Sequence, residues 1–397
     1  MIELGEFARD GRLRGLLRQE WLQPYNGVEG VALSYDDRLI DAANFIVSSR
    51  LGSELRGTIG HSRYVALLLA AVARRTEDSK SDRDTLLDYL SEGLFQWWRE
   101  LESTGRLHYV SPIVVEVATR EDFGREVGFE PTASDYPYRY RIRPSRGARL
   151  HVASAGGRID TYPPTHTRSY GTLGGFIIDN VSNATFGVTA EHVCLRKTGH
   201  ARPLPIPHAP ALVRNNVSLL LGRLGLERYR NEECPWHWGS PASVIPKLSC
   251  TAQATPQTAG IDVALHTVSP QPGLRAVRIA ELADLSPVLE LSFIGATSGY
   301  QRARVTSYSV WHNYELDDND VCIHDCVQIK LADRPYVRTD ISQGGDSGAW
   351  LLAQGRDDLY WVGLLTGGDG DVAGIVPARR IVENIERDLK FSVQAMV

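Results

Sequence analysis

Cysteine is scarce: there are five in 397 residues, an odd and scattered set. A secretory signal is lacking too. The opening "MIELGEFARDGRLRGLLRQEW" mixes charges through its apolar residues and has no basic start, unbroken apolar run or small-residue cleavage site. Both absences argue against a disulfide framework and for free thiols in a reducing compartment, so a cytoplasmic location is expected. "CIHDC" (Cys322 to Cys326) offers thiolates and an imidazole, but no second Cys/His pair at metal-site spacing accompanies it. Neither a metal nor another cofactor is expected. The longest apolar run, "YVALLLAAVA", is too short to span a bilayer, which excludes a membrane partner for it. An excess of one charge is also missing. A formal net charge of −5 gives no molecule-wide basic surface, and nucleic acid is not an expected partner.

What is present changes character twice along a chain long enough for two or three domains. Up to about residue 105 the apolar period is helical. "SDRDTLLDYLSEGLFQWWREL" opens with Ser81 and Asp84 at capping-box spacing and places Leu86, Leu87, Leu90, Leu94, Trp97, Trp98 and Leu101 along one face. "LGEFARDGRLRGLLRQEWL", "YDDRLIDAANFIVSSRL" and "HSRYVALLLAAVARR" carry looser versions of that pattern. Residues 1–105 therefore read as a small helical domain, with regulation or partner binding as its role. Residues 106–167 turn to short strand-like runs broken by Pro, Gly and Asp, a β-rich connecting segment. In "YRYRIR", Tyr138, Tyr140 and Ile142 alternate with Arg139, Arg141 and Arg143, which reads as a half-buried strand with a solvated basic face. Residues 168–397 hold "TLGGFIID", "ATFGVTA", "GIDVALHTV", "LELSFIG", "ARVTSYSVW", "CVQIKLA", "SGAWLLA" and "YWVGLLTGG", short strands joined by turns, before "PARRIVENIERDL" closes with a helix. So many strands with no helix between them predict an all-β barrel or sandwich. Residues 197–250, with "ARPLPIPHAPALV" and "NEECPWHWGSP", break the rhythm as a surface excursion.

"ISQGGDSGAW" sets Ser347 among glycines, and a serine hydroxyl attacks well only with a base, a group that orients the base and donors for the oxyanion. "FGVTAEHVC" places His192 just after an apolar strand, and "AGIDVALHTV" places Asp262 among Ile261, Val263 and Leu265, where a carboxylate needs a partner. These segments, in the order His, Asp, Ser, resemble the chymotrypsin-like (trypsin-like) serine peptidases. "VTAEHV" is similar to that family's histidine motif, "DVAL" to its aspartate motif and "GGDSGAW" to its nucleophile loop. "GATSGYQRARVTSYS" is similar to the opening of the second barrel, and "VGLLTGG" to the strand that pairs with an extended substrate.

The resemblance covers about the last 230 residues and implies a multidomain protein, an α-helical N-terminal part followed by an all-β double β-barrel with a C-terminal helix. It implies a serine endopeptidase acting on a protein or peptide through an acyl-enzyme. His192 would be the base, Asp262 would fix its tautomer, and the N–H groups of Gly345 and Ser347 would form the oxyanion hole. Thr366 would help hold Asp262, and Gly367 and Gly368 would take the peptide. Ile341 matches the base of the primary pocket, so a preference for Lys or Arg is not implied; a register shift of one would bring Asp340 there. Asp346 would pair with an internal arginine, Arg302 or Arg304, in preference to a new amine released by cleavage of the linker. Two departures stand out: Glu191 precedes His192 where the family has a small residue, and Cys194 falls two places after it. A dormant, protease-like binding scaffold is the alternative from another class.

Overall fold

"VEGVALSY" has neither a helical nor an alternating period, because it is buried along its whole length. The computed structural model describes residues 1–9, 28–76, 92–96, 99–100, 103–104, 113–120, 139–145, 149–150, 157–160, 170–194, 236–238, 262–267, 273–316, 319–332 and 340–397. In it, helix α1 (Ile2–Arg9) precedes strand β1 (Val28–Tyr35), helix α2 (Asp37–Leu51) and helix α3 (Ile59–Thr76). The Asp36 carboxylate accepts from the Arg38 N–H at 3.0 Å and caps α2, and Leu39, Ala43 and Val47 bury one face of it at helical spacing. On α3, Val65, Leu68, Leu69 and Val72 are buried in the same way. The Ser62 hydroxyl donates to the Asp284 carbonyl at 2.6 Å and lies 2.7 Å from Ser286 Oγ, so α3 docks on a turn of the β-rich part.

The first hundred residues are therefore not purely helical. β1 lies between two strands, strand β2 (Ile113–Arg120) and a long strand of the barrel, so one sheet crosses the boundary expected at residue 105. Of the helix expected from Ser81 onward, residues 92–96 are helical with Leu94 buried, and its start lies outside the described residues. Strand β3 (Arg139–Ser145) pairs parallel with β2. The expectation of a solvated basic face holds at Arg141, whose side chain is 41% exposed, and fails at Arg143. Ile142 is 37% exposed, whereas the Arg143 side chain is 11% exposed and reaches Asp369 at 2.7 Å and Glu116 at 3.1 Å. Two acidic partners let Arg143 take an inward position.

The fold continues through strands β4 (Arg149–Leu150), β5 (Gly157–Asp160), β6 (Tyr170–Leu173), β7 (Gly175–Asp179) and β8 (Thr185–Thr189) to the short helix α4 (Glu191–Cys194). Then follow β9 (Trp236–Trp238), β10 (Val263–Thr267), β11 (Ala276–Ile279), β12 (Glu290–Gly295), β13 (Gly299–Leu316) and β14 (Asn319–Leu331). The chain finishes with β15 (Trp350–Gln354), β16 (Leu359–Asp369), β17 (Val372–Pro377), helix α5 (Ala378–Leu389) and β18 (Val393–Met396). Six of these close a barrel: β12 pairs with β13, then β14, β17, β16 and β15 follow in order, and β15 returns to β12. Closure leaves this barrel no free edge except where strands overhang. Trp350 on β15 stacks on Trp361 of β16 with ring centroids 3.8 Å apart, and its ring lies against Gly174 and Gly175 of the other β-rich half. Among the described residues the other β-rich half is an open run, β11-β18-β7-β8-β10-β9, rather than a second closed barrel. β18 follows the helix and joins β7 to β11, and β11 pairs in parallel with β16 of the barrel. Of the excursion at 197–250, only β9 lies within the described residues.

His312 on β13 is buried beside Arg143 and Asp369 and packs edge-on against Tyr314, with ring centroids 5.0 Å apart. Burial first, and the Arg143 charge second, push its pKa down to about 4, against a modest opposing pull from Asp369. The folded state thus binds the proton less tightly than the unfolded chain. Stability is expected to fall as pH drops from about 6.5 toward 4, by up to about 1.4 kcal/mol per pH unit from this group. Urea unfolding at pH 7 and pH 5 checks this: a His312→Gln variant should show a flatter dependence, and an identical slope would remove His312 as the cause.

Candidate active site

β8 runs buried into Ala190, and the chain turns there into α4, which holds His192 against the start of β10. Just before β10 stands Asp262, whose φ of 48° lies in the left-handed region that an Asp tolerates better than most residues. This turn points its carboxylate back at His192. The imidazole Nδ1 lies 2.9 Å from Asp262 Oδ1 and 2.8 Å from Oδ2, and the His192 backbone N–H donates to Oδ1 at 3.1 Å. An ionised carboxylate only accepts, so Nδ1 carries the proton and Nε2 is left as the basic nitrogen. Both side chains are buried, at 1% exposure each. Desolvation and three hydrogen-bond contacts hold this pair in one geometry.

Ser347 lies in the loop that enters β15. It is fully buried, and its hydroxyl donates to the Thr366 carbonyl at 2.6 Å. The loop is fastened from the other β-rich half by a residue that the sequence reading passed over. Thr172 donates its N–H to the Ser347 carbonyl at 2.9 Å and its hydroxyl to the Gly345 carbonyl at 2.9 Å, while Thr189 Oγ1 donates to the Thr172 carbonyl at 2.6 Å. Its only signal in sequence is a hydroxyl inside "YGTLGG". Gly345 has φ 132°, a conformation that side-chain-bearing residues rarely adopt. With their carbonyls engaged, the N–H groups of Gly345 and Ser347 meet no acceptor among the described residues. Unpartnered buried N–H groups of this kind can stabilise negative charge.

Asp346 corrects an expectation. It pairs with neither Arg302 nor Arg304; those guanidinium groups lie 2.8 and 3.0 Å from the Glu290 carboxylate. They hold the Glu290 carboxyl below the usual carboxylate range against its partial burial. Asp346 instead accepts from the N–H groups of Thr297 (3.1 Å), Ser298 (3.1 Å) and Gln343 (2.8 Å) and from Ser298 Oγ (2.5 Å). A ring of neutral donors satisfies the buried carboxylate, so no cation is required. The one mark of this ring in the sequence is the Ser298 hydroxyl in "GATSG"; its three backbone N–H groups leave none. Gly295 permits the approach, since a Cβ there would come within 2.3 Å of Asp346 Oδ1.

Thr366 does not hold Asp262. Its hydroxyl donates to the Gly374 carbonyl at 3.1 Å across the β16–β17 hairpin. Ile341 is fully buried, with its N–H on the Gly370 carbonyl at 3.0 Å. Gly367 and Gly368 pair with Gly374 and Ala373 of β17 and, on their other side, with Leu150 and Arg149 of β4. Cys326 is a buried thiol outside any disulfide, and burial pushes its pKa up to about 12. The side chains of Glu191, Cys194 and Cys322 lie outside the described residues.

No family model matches the chain, and no curated protein matches it. Among solved structures it is similar to an inactive mutant of the murine norovirus NS6 protease with a C-terminal extension into NS7, at 10% identity and a TM-score of 0.26 over 52% of this chain and 88% of that one. A second form of that mutant with a shorter extension gives 11%, 0.28, 52% and 91%, and the NS6 protease from murine norovirus 1 gives 10%, 0.24, 53% and 85%. TM-scores of this size carry no argument. Fold and site rest on the strand order and side-chain geometry above.

Proposed function

We propose that the protein is a serine endopeptidase that hydrolyses peptide bonds through His192, Asp262 and Ser347. The observation that carries this reading is the buried Nδ1–carboxylate pair, 2.8 Å at its shortest, which leaves Nε2 basic. Supporting it are the N–H groups of Gly345 and Ser347, which meet no acceptor among the described residues. In the proposed reaction, Ser347 turns from the Thr366 carbonyl toward His192. Nε2 takes its proton as Oγ attacks the carbonyl carbon, and the two N–H groups receive the oxyanion. The imidazolium, stabilised by Asp262, then protonates the leaving amine, and water hydrolyses the acyl-enzyme through the same nitrogen. Gly367 and Gly368 would pair with the substrate backbone and Ile341 would floor the primary pocket. An apolar or small residue is then favoured before the scissile bond.

Mixed-peptide digestion read by mass spectrometry tests the reading: wild type should produce new termini that Ser347→Ala does not. Cleavage of short esters alone would make it another acyl-transfer hydrolase. A dormant binding scaffold is the second reading, favoured by one observation: the Ser347 hydroxyl bonds a backbone carbonyl, a resting rotamer rather than an attacking one.

The environment of Asp346 yields a further expectation. Asp346→Ala strips the acceptor from three N–H groups and loosens the loop carrying Gly345, so kcat/KM should fall about 10²-fold, as when an oxyanion donor is removed. Arg302→Ala and Arg304→Ala should retain activity. Loss of activity in an arginine variant with Asp346→Ala unaffected would overturn this assignment.

A further inference from the structure

The strand beside the proposed nucleophile already has an occupant. β4 lies between β16 and the end of β13, with Leu150 opposite Gly367 and Arg149 opposite Gly368 in antiparallel register, and Arg149 opposite Glu315 in parallel register. Along β4 the chain runs from Gly368 to Gly367, that is, toward Thr366, whose carbonyl accepts the Ser347 hydroxyl. Beyond the next stretch of chain, β5 packs against α4, which carries His192. β4 thus rests on the strand whose Thr366 bonds Ser347, and β5 rests on the helix that carries His192.

We infer that Arg149–Leu150 is an internal, substrate-like strand that fills the peptide-binding edge of β16 and must leave before a substrate strand can pair there. The inference rests on the peptidase reading and adds regulation of the same site. A two-residue strand contributes few backbone hydrogen bonds and pairs weakly by itself. Its advantage is tethering. Six positions upstream, Arg143 is fixed by Asp369 at 2.7 Å, at the end of the very strand that β4 covers. A short tether of this kind presents the strand at an effective concentration on the order of millimolar, enough to exclude a weaker peptide added from solution. Such an occupant is displaceable by a longer strand that adds pairs along β16, which is β-strand addition with competition in cis.

The test uses the full chain and a fluorescein-labelled peptide of residues 145–152, SRGARLHV, read by anisotropy. In a Ser347→Ala background, Leu150→Pro should bind the peptide about tenfold or more tightly than the parent, because proline removes an N–H and disfavours the strand. Arg149→Pro is the second variant, and a thermal melt of each confirms the fold. Equal affinity in the parent and in whichever variant keeps its melt overturns the inference. Fluorophosphonate labelling of the matching chains with Ser347 intact reports separately on the triad. Tighter peptide binding without labelling would leave the strand assignment standing and sink the peptidase reading; labelling with unchanged binding would do the reverse.

Discussion

Ser347→Ala and His192→Ala are each expected to lower peptide hydrolysis by about 10⁶-fold, and the double variant no further. The reason is mechanical. In the proposed mechanism Ser347 and His192 act on the same proton, so removing either would remove the whole step and leave only binding and the proposed oxyanion donors. Those proposed donors do not depend on either side chain: the N–H groups of Gly345 and Ser347 belong to the backbone, which Thr172 fastens through two hydrogen bonds of 2.9 Å each. Residual turnover of about 10³-fold over water is thus expected in all three variants. Steady-state kinetics checks the account. Losses that multiply in the double variant would mean that the two residues act separately.

Asp262→Asn is expected to reduce kcat by about 10⁴-fold with the fold preserved. An amide can offer Nδ1 an N–H, which moves the imidazole proton to Nε2 and leaves no base facing the serine. Asparagine is the right replacement because φ at this position is 48°, which asparagine tolerates; alanine would add backbone strain to the lost charge. A thermal melt should show little change while kcat collapses. Retained kcat with a lowered melt would make Asp262 a structural partner of His192 and nothing more.

The sequence was most readable where local rules and burial agree. "ATFGVTA", "LELSFIG", "SGAWLLA" and "YWVGLLTGG" became β8, β12, β15 and β16, and Ile381, Val382 and Ile385 line the buried face of α5 as their spacing requires. β1 escaped because both of its faces are covered, which erases the alternation that marks a strand. β18 is four residues long, too short for any period. In the site, the partners His192 and Asp262 were legible because a charged residue in an apolar run needs a counterpart, whereas the partner of Asp346 was not. Backbone N–H groups leave no mark in a sequence, so a charge was sought where Thr297, Ser298 and Gln343 suffice. The burial of Arg143 was hidden for a related reason: its partners, Glu116 and Asp369, lie on strands distant in sequence.

Reaction of the full chain with a fluorophosphonate probe, followed by peptide mapping, tests the central claim most directly. The account predicts one phosphonylated residue, Ser347, in wild type and no label in Ser347→Ala or His192→Ala. Equal labelling of wild type and His192→Ala, or an unlabelled but folded wild type, would contradict it.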